Sequence, residues 1–99
     1  MRSICKRSFW DLFEKLPQDV QREARKAYQD FKANPGMPGL NFEAVTPKKK
    51  VWSVRVTGDY RALGARATPT SDTIVWFWIG THNAYDKYIN QLRRREQQV

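Results

Sequence analysis

The run from Thr73 to Ile79 constrains this chain more than any other stretch, because it is apolar on both parities: Ile74, Trp76 and Trp78 alternate with Val75, Phe77 and Ile79. Successive residues of a strand point to opposite faces of its sheet, so a run with no polar face needs cover on both sides. It reads as the centre of a sheet. The rest of the chain must supply its neighbours and its cover.

The cover comes first. Ser8 reads as the cap of a short helix with Asp11 three residues on, and Phe9, Leu12, Phe13 and Leu16 fall on one face. Pro17 suits the first turn of a second helix and Asp19 its positive dipole end. Val20, Ala24, Ala27, Tyr28 and Phe31 repeat at helical spacing until Asn34-Pro35-Gly36 stops the helix. The pair forms a hairpin with one apolar side, which needs a sheet beneath it.

The neighbours follow. After the turn-rich Pro35 to Gly39, Leu40, Phe42 and Ala44 alternate with Asn41 and Glu43 as in a half-buried strand. Thr46 to Lys50 is a basic loop. Val51 to Thr57 alternates again, with Trp52, Val54 and Val56 on one face and Val51, Ser53 and Arg55 on the other, so Arg55 is expected to point away from the helices. Gly58-Asp59 can turn the chain into a strand from Tyr60 to Ala67. The register is open. A strict two-residue loop sets Arg61 opposite Val56, whereas one extra loop residue or a bulge brings Arg55 and Arg61 together.

Thr68 to Asp72 is a second turn, leading into the Thr73 run. Thr81 or Asn83 then caps a last helix in which Tyr85, Tyr88, Ile89 and Leu92 share a stripe. Arg93-Arg94-Arg95 suits that helix's negative end, and the tail beyond is expected to fray. Two helices, four strands and a helix predict an α+β fold: an N-terminal helical hairpin packed on a mainly antiparallel, four-stranded twisted sheet, with a C-terminal helix. One domain is expected over residues 1–99, a length that can bury a core without staples.

Eighteen Lys and Arg against ten Asp and Glu give a net charge of +8, which points to a polyanionic partner such as nucleic acid, an acidic protein or an anionic membrane. The charge is uneven: eight basic and six acidic residues up to Val45, ten basic and four acidic from Thr46 onward. The β half carries it. Cys5 is the only cysteine, which excludes an internal disulfide and a thiolate metal cluster and suggests a reducing compartment. No apolar run suits a signal peptide, and none approaches the ~18 residues of a membrane span, so a soluble cytoplasmic protein is expected.

Taken together, the helical hairpin ending in Asn34-Pro35, the strand after Gly39-Leu40, Trp52-Ser53-Val54-Arg55-Val56, Gly58-Asp59-Tyr60-Arg61 and Ile79-Gly80-Thr81-His82-Asn83-Ala84-Tyr85 resemble the RelE/ParE superfamily of bacterial toxins from type II toxin–antitoxin pairs. The resemblance spans nearly the whole chain. It implies either of two activities: RelE-like members cut messenger RNA in the ribosomal decoding site, and ParE-like members poison DNA gyrase without an RNA-cutting site. It also implies a cognate antitoxin as partner, acidic in its toxin-binding segment, and no cofactor.

Metal-independent RNA cleavage needs a base for the ribose 2′-OH, an acid for the leaving 5′-oxygen, and cations around the phosphorane-like transition state. The resemblance assigns Glu43 as possible base, His82 as general acid or base, Arg55 and Arg61 as phosphate stabilisers, and Tyr85 as orienter or stacking platform. Histidine suits its part because its reference pKa of about 6.5 lets it exchange protons at neutral pH. Lys48, Lys49 and Lys50, with Arg66, are expected to contact RNA phosphates. Each residue also has a plainer role: His82 as a cap or surface group, Arg55 and Arg61 as ion-pair partners of Asp59 or Asp86, Glu43 as a solvated strand residue, Tyr85 as core. Asp86 is too weakly placed to name as catalytic, and Trp52, Trp76 and Trp78 read as core before they read as stacking platforms. The leading expectation is a ribosome-dependent endoribonuclease toxin. A gyrase-directed toxin and a toxin-like binding domain without activity stand beside it.

Overall fold

Every strand among the described residues belongs to one sheet, in which the first and last strands in sequence lie side by side. The computed structural model describes residues 1–97. Its elements are β1 (Arg2–Cys5), α1 (Arg7–Phe13), α2 (Gln18–Ala33), β2 (Glu43–Ala44), β3 (Val51–Arg55), β4 (Tyr60–Ala65), β5 (Thr73–Thr81) and α3 (His82–Gln97). The sheet runs β1-β5-β4-β3-β2, antiparallel except that β1 lies parallel to β5. The expected α+β class is the observed one. The strand number is not: β1 is a fifth strand, from a segment with no strand pattern. Its stability comes from pairing, Arg2 to Cys5 against Thr73 to Trp76, and from the Trp76 indole N–H donating to Ser3 Oγ at 2.7 Å.

The Thr73 run is interior, although β4 is the middle strand of the five. Its faces depart from simple alternation. Leu63 opposes Trp78 while Gly64 opposes Trp76, so Phe77 is an extra residue bulged out of register. Alternation flips there. Ile74, Trp76 and Ile79 join the core under α1 and α2, and Phe77 and Trp78 both turn to the α3 side. Gly64 makes the close packing beside the bulge possible, since a Cβ there would lie 2.7 Å from Ile74 and 2.8 Å from Trp76.

The face under α1 and α2 carries the larger apolar core. Phe13, Ala24, Phe31, Leu40, Val54, Ala62, Ile74, Trp76 and Ile79 form it, with Phe31 edge-on to Trp76 at 5.3 Å and to Phe42 at 4.9 Å. Full burial of a side chain such as Phe31 or Ile74 stabilises by about 1.5–3 kcal/mol, so this layer holds most of the driving force. The α3 face is smaller, built on Val45, Leu63, Tyr85 and Ile89. α3 is tied down at both ends: the Ala84 N–H donates to Thr81 Oγ1 at 3.2 Å, and Arg93 Nε donates to the Val45 carbonyl at 2.8 Å.

Other expectations need adjusting. Ser8 does not cap α1; Lys6 occupies that position without a side-chain cap, and Ser8 Oγ donates instead to the Phe77 carbonyl at 2.9 Å. The strand expected from Leu40 shrinks to Glu43–Ala44, because Asn41 takes φ +48° and breaks the extended run. α3 continues through Gln97, past the arginines where fraying was expected, and positions 98–99 of that tail lie outside the described residues.

Candidate active site

The hairpin between β3 and β4 decides whether a site exists. Arg55 pairs with Arg61, which makes Thr57-Gly58-Asp59 a three-residue loop, one longer than the tightest hairpin. Both arginines then project from the sheet face that carries α3. Beyond the loop, the His82 N–H donates to the Asp59 carbonyl at 2.7 Å, so the start of α3 is fixed against the same turn.

These placements line one cleft of about 290 Å³ with Glu43, Ser53, Arg55, Arg61, His82 and Tyr85, and Asn41 and Phe42 at its edge. Glu43 is exposed, opposite Ser53 on the neighbouring strand. Arg55 is exposed, and among the described residues its guanidinium has no ion-pair or hydrogen-bond partner. Arg61 is partly buried. Its Nη1 donates to the carbonyls of Thr57 at 2.7 Å and Tyr60 at 2.9 Å, which fixes the guanidinium plane and leaves its other N–H groups free. Neither arginine takes the plainer role of pairing with Asp59 or Asp86.

His82 stands at the first turn of α3, half exposed, with Nδ1 3.3 Å from Asp86 Oδ2 and its ring 5.7 Å from that of Tyr85. Asp86 faces His82 because residues four apart share a helix side, so its carboxylate lies against the histidine and not against Arg55 or Arg61. With Nδ1 turned to the carboxylate, Nε2 is the nitrogen available to a ligand. Tyr85 is a correction. At 8% exposure its ring belongs to the core beside Leu63 and Ile89, so it offers no face for base stacking, and its hydroxyl donates to buried Ser53 Oγ at 3.4 Å. Its hydroxyl end lines the cleft beside Ser53. Ser53 had no sequence signal beyond its parity with Arg55.

The expected phosphate contacts are not gathered here. Lys48, Lys49 and Lys50 are exposed in the β2–β3 loop, at the opposite end of β3 from Arg55, the nearest of them roughly 17 Å away at strand rise. The loop is ordered: the Lys48 N–H donates to Glu96 Oε1 at 2.7 Å, and Trp52 Nε1 donates to the Lys49 carbonyl at 2.7 Å. Arg66 is the second correction. It is 9% exposed, its guanidinium lies 4.7 Å over the Trp52 ring, and Nε donates to the Ser71 carbonyl at 3.0 Å, so its donors serve the fold.

A family model described as the ParE-like toxin domain matches residues 18–87, a span that includes the hairpin, both arginines, His82 and Tyr85. The chain belongs to the ParE-like toxin domain family. It therefore falls within the RelE/ParE toxin superfamily, as the order of its motifs implied. Among solved structures it is similar to the YoeB/ParE toxin from Agrobacterium tumefaciens, at 16% identity and TM-score 0.61, covering 83% of this chain and 99% of that one. It is similar also to a chain of the RelB-RelE antitoxin-toxin complex from Methanococcus jannaschii, at 10% identity and TM-score 0.64, covering 86% and 96%. The archaeal RelE-RelB complex from Pyrococcus horikoshii OT3 gives 13% identity and TM-score 0.61, covering 81% and 92%. At these identities the likeness is one of fold. No curated protein matches the chain significantly. Among the described residues no helix is long and apolar enough to cross a membrane.

Proposed function

We propose that this toxin is a ribosome-dependent endoribonuclease that cuts messenger RNA by attack of a ribose 2′-oxygen on the adjacent phosphate. The observation that carries the reading is the convergence of Glu43, Arg55, Arg61 and His82 on one open cleft from four different elements. Glu43 takes the 2′-OH proton, and the O2′–P bond forms as a phosphorane-like state develops. Arg55 and Arg61 neutralise its equatorial oxygens, Arg61 with little reorganisation because backbone carbonyls already hold it. The P–O5′ bond then breaks, and His82 Nε2 supplies a proton to the leaving oxygen. The products are a 2′,3′-cyclic phosphate and a free 5′-hydroxyl. The net charge of +8 suits docking on ribosomal RNA, weakened by salt as counterion release requires.

The partner that restrains it is an antitoxin with an acidic binding segment. Two similar structures are antitoxin–toxin complexes, which supports that assignment. A second reading, poisoning of DNA gyrase, has one observation in its favour: the matching family model is the ParE-like one. Purified toxin, a defined message and programmed ribosomes test both, with 5′ ends mapped with and without ribosomes and supercoiling by purified gyrase followed in parallel. Cuts at fixed positions in the decoding frame, only with ribosomes, are the expected result. Intact message with inhibited supercoiling would transfer the function to gyrase.

A further inference from the structure

The Arg61–His82 pair is shared by two clefts. On the β2 side is the cleft holding Glu43, Ser53 and Arg55; on the other, beside the β3–β4 loop, is one of about 470 Å³ lined by Gly58, Asp59, Tyr60, Thr81 and Asn83. The second is the larger, and Glu43 and Arg55 do not reach it. Its walls are the hairpin tip and the first turn of α3, joined by the His82 N–H to Asp59 carbonyl bond, so its two sides are held at a fixed separation. The Asp59 carboxylate and the Asn83 amide are both exposed on it, and neither has a side-chain partner among the described residues.

We infer that this second cleft binds the nucleotide on the 3′ side of the cut and reads its base through Asp59 and Asn83. The inference rests on the nuclease reading and deepens it. Direction follows from the proton path. Glu43 removes the 2′ proton, which belongs to the nucleotide 5′ of the cut, and Glu43 opens only onto the first cleft. His82 protonates the 5′-oxygen, which belongs to the nucleotide 3′ of the cut, and His82 borders the second. With the phosphate on Arg61, the strand crosses the pair and the 3′ nucleotide enters the space by Asp59.

The side chains there set what it can accept. A carboxylate only accepts hydrogen bonds, and an amide both donates and accepts. Adenine, cytosine and guanine each carry an exocyclic amino group that donates to a carboxylate. Uracil shows carbonyl oxygens on both sides of a single N–H, and those oxygens face Asp59 unfavourably. Single-stranded RNA exposes these edges for reading. The cleft therefore favours an amino-bearing base over uracil.

The test is cleavage by the full chain on ribosomes programmed with four messages that differ only in the nucleotide immediately 3′ of the mapped cut. Wild type is expected to cut before adenine, cytosine or guanine faster than before uracil by roughly 5- to 150-fold, the worth of one good base-edge pair. Asp59→Asn, which adds a donor, should shift the preference toward uracil, and Asn83→Ala should narrow it. Both positions are exposed and free of side-chain bonds, so the fold is not at stake. Ribosome-dependent cutting without base discrimination, or the same discrimination in wild type and both variants, would overturn the subsite and leave the nuclease intact. An equal loss on all four messages in Asp59→Asn would place Asp59 in the general machinery and overturn its reading role. No cutting by wild type would remove the nuclease reading and this inference with it.

Discussion

The two faces of the sheet do different work. Under α1 and α2 the face is packed with aliphatic and aromatic side chains, whereas on the other side α3 covers one end and leaves an open, charged cleft at the other. The same strands serve both, alternate residues going to stability and to the cleft: Val54 and Ala62 look one way, Arg55 and Arg61 the other. Site residues on such a scaffold can be exposed and unpaired without loosening the fold, because the opposite face supplies the burial.

That division can be broken or sharpened by substitution. The largest effect is expected from Phe31→Ala, which opens a cavity in the face under α1 and α2 and should cost about 3–5 kcal/mol by urea unfolding. A loss below about 1 kcal/mol would mean that the hairpin layer is not the main support. His82→Ala should lower single-turnover cleavage on ribosomes by roughly 10²- to 10⁴-fold while moving the unfolding midpoint little. An unchanged rate would remove His82 from the mechanism, and a large loss of stability would blur the two faces.

Arg61→Ala straddles the division. Removal of one electrostatic donor should raise the cleavage barrier by about 2.7–4 kcal/mol, and the lost bonds to the hairpin carbonyls should cost about 1 kcal/mol of stability as well. Thr81→Ala, which removes the α3 cap, should destabilise by about 1 kcal/mol, with cleavage reduced in step through the displaced His82. Thermal midpoints and single-turnover rates on the same preparations separate the two contributions.

The smallest effect concerns Cys5. Burial pushes its thiol up from the ordinary 9.0, so the folded state disfavours the thiolate. A raised value in the folded chain means stability that is complete below about pH 9 and declines as pH climbs through the raised value, because the unfolded chain ionises first. Urea midpoints of wild type and Cys5→Ala between pH 7 and the alkaline end should converge as this contribution disappears. Parallel curves would show that the thiol is solvated.

The sequence made most of this readable where the signal is local. α2 and α3 carry clear helical periodicity, and β3 and β4 carry alternation that put Arg55 and Arg61 on strand positions with one open question of register. That question turned on a single loop residue, Thr57, which no local propensity decides. The bulge at Phe77 was hidden for a related reason: an apolar run on both parities is compatible with any switch of face, and only its partners Leu63 and Gly64 reveal where the switch falls. β1 was invisible because Arg2-Ser3-Ile4-Cys5 is short and half polar, and its pairing partner is far along the chain. At the site, residue types announced His82 and the arginines, but Tyr85 and Arg66 could be placed only by burial, and Asp59 and Asn83 only by the cleft they share.

The parallel strand β1 also sets an order of events during synthesis. Ser3 hydrogen-bonds Trp76, 73 positions later, so this edge of the sheet cannot close until Trp76 has left the ribosome. Contacts of such separation form late and slowly. His82 follows Trp76 by only six residues, so the catalytic histidine proposed here and the closing edge emerge together. A chain interrupted before that point lacks both the partner of β1 and His82.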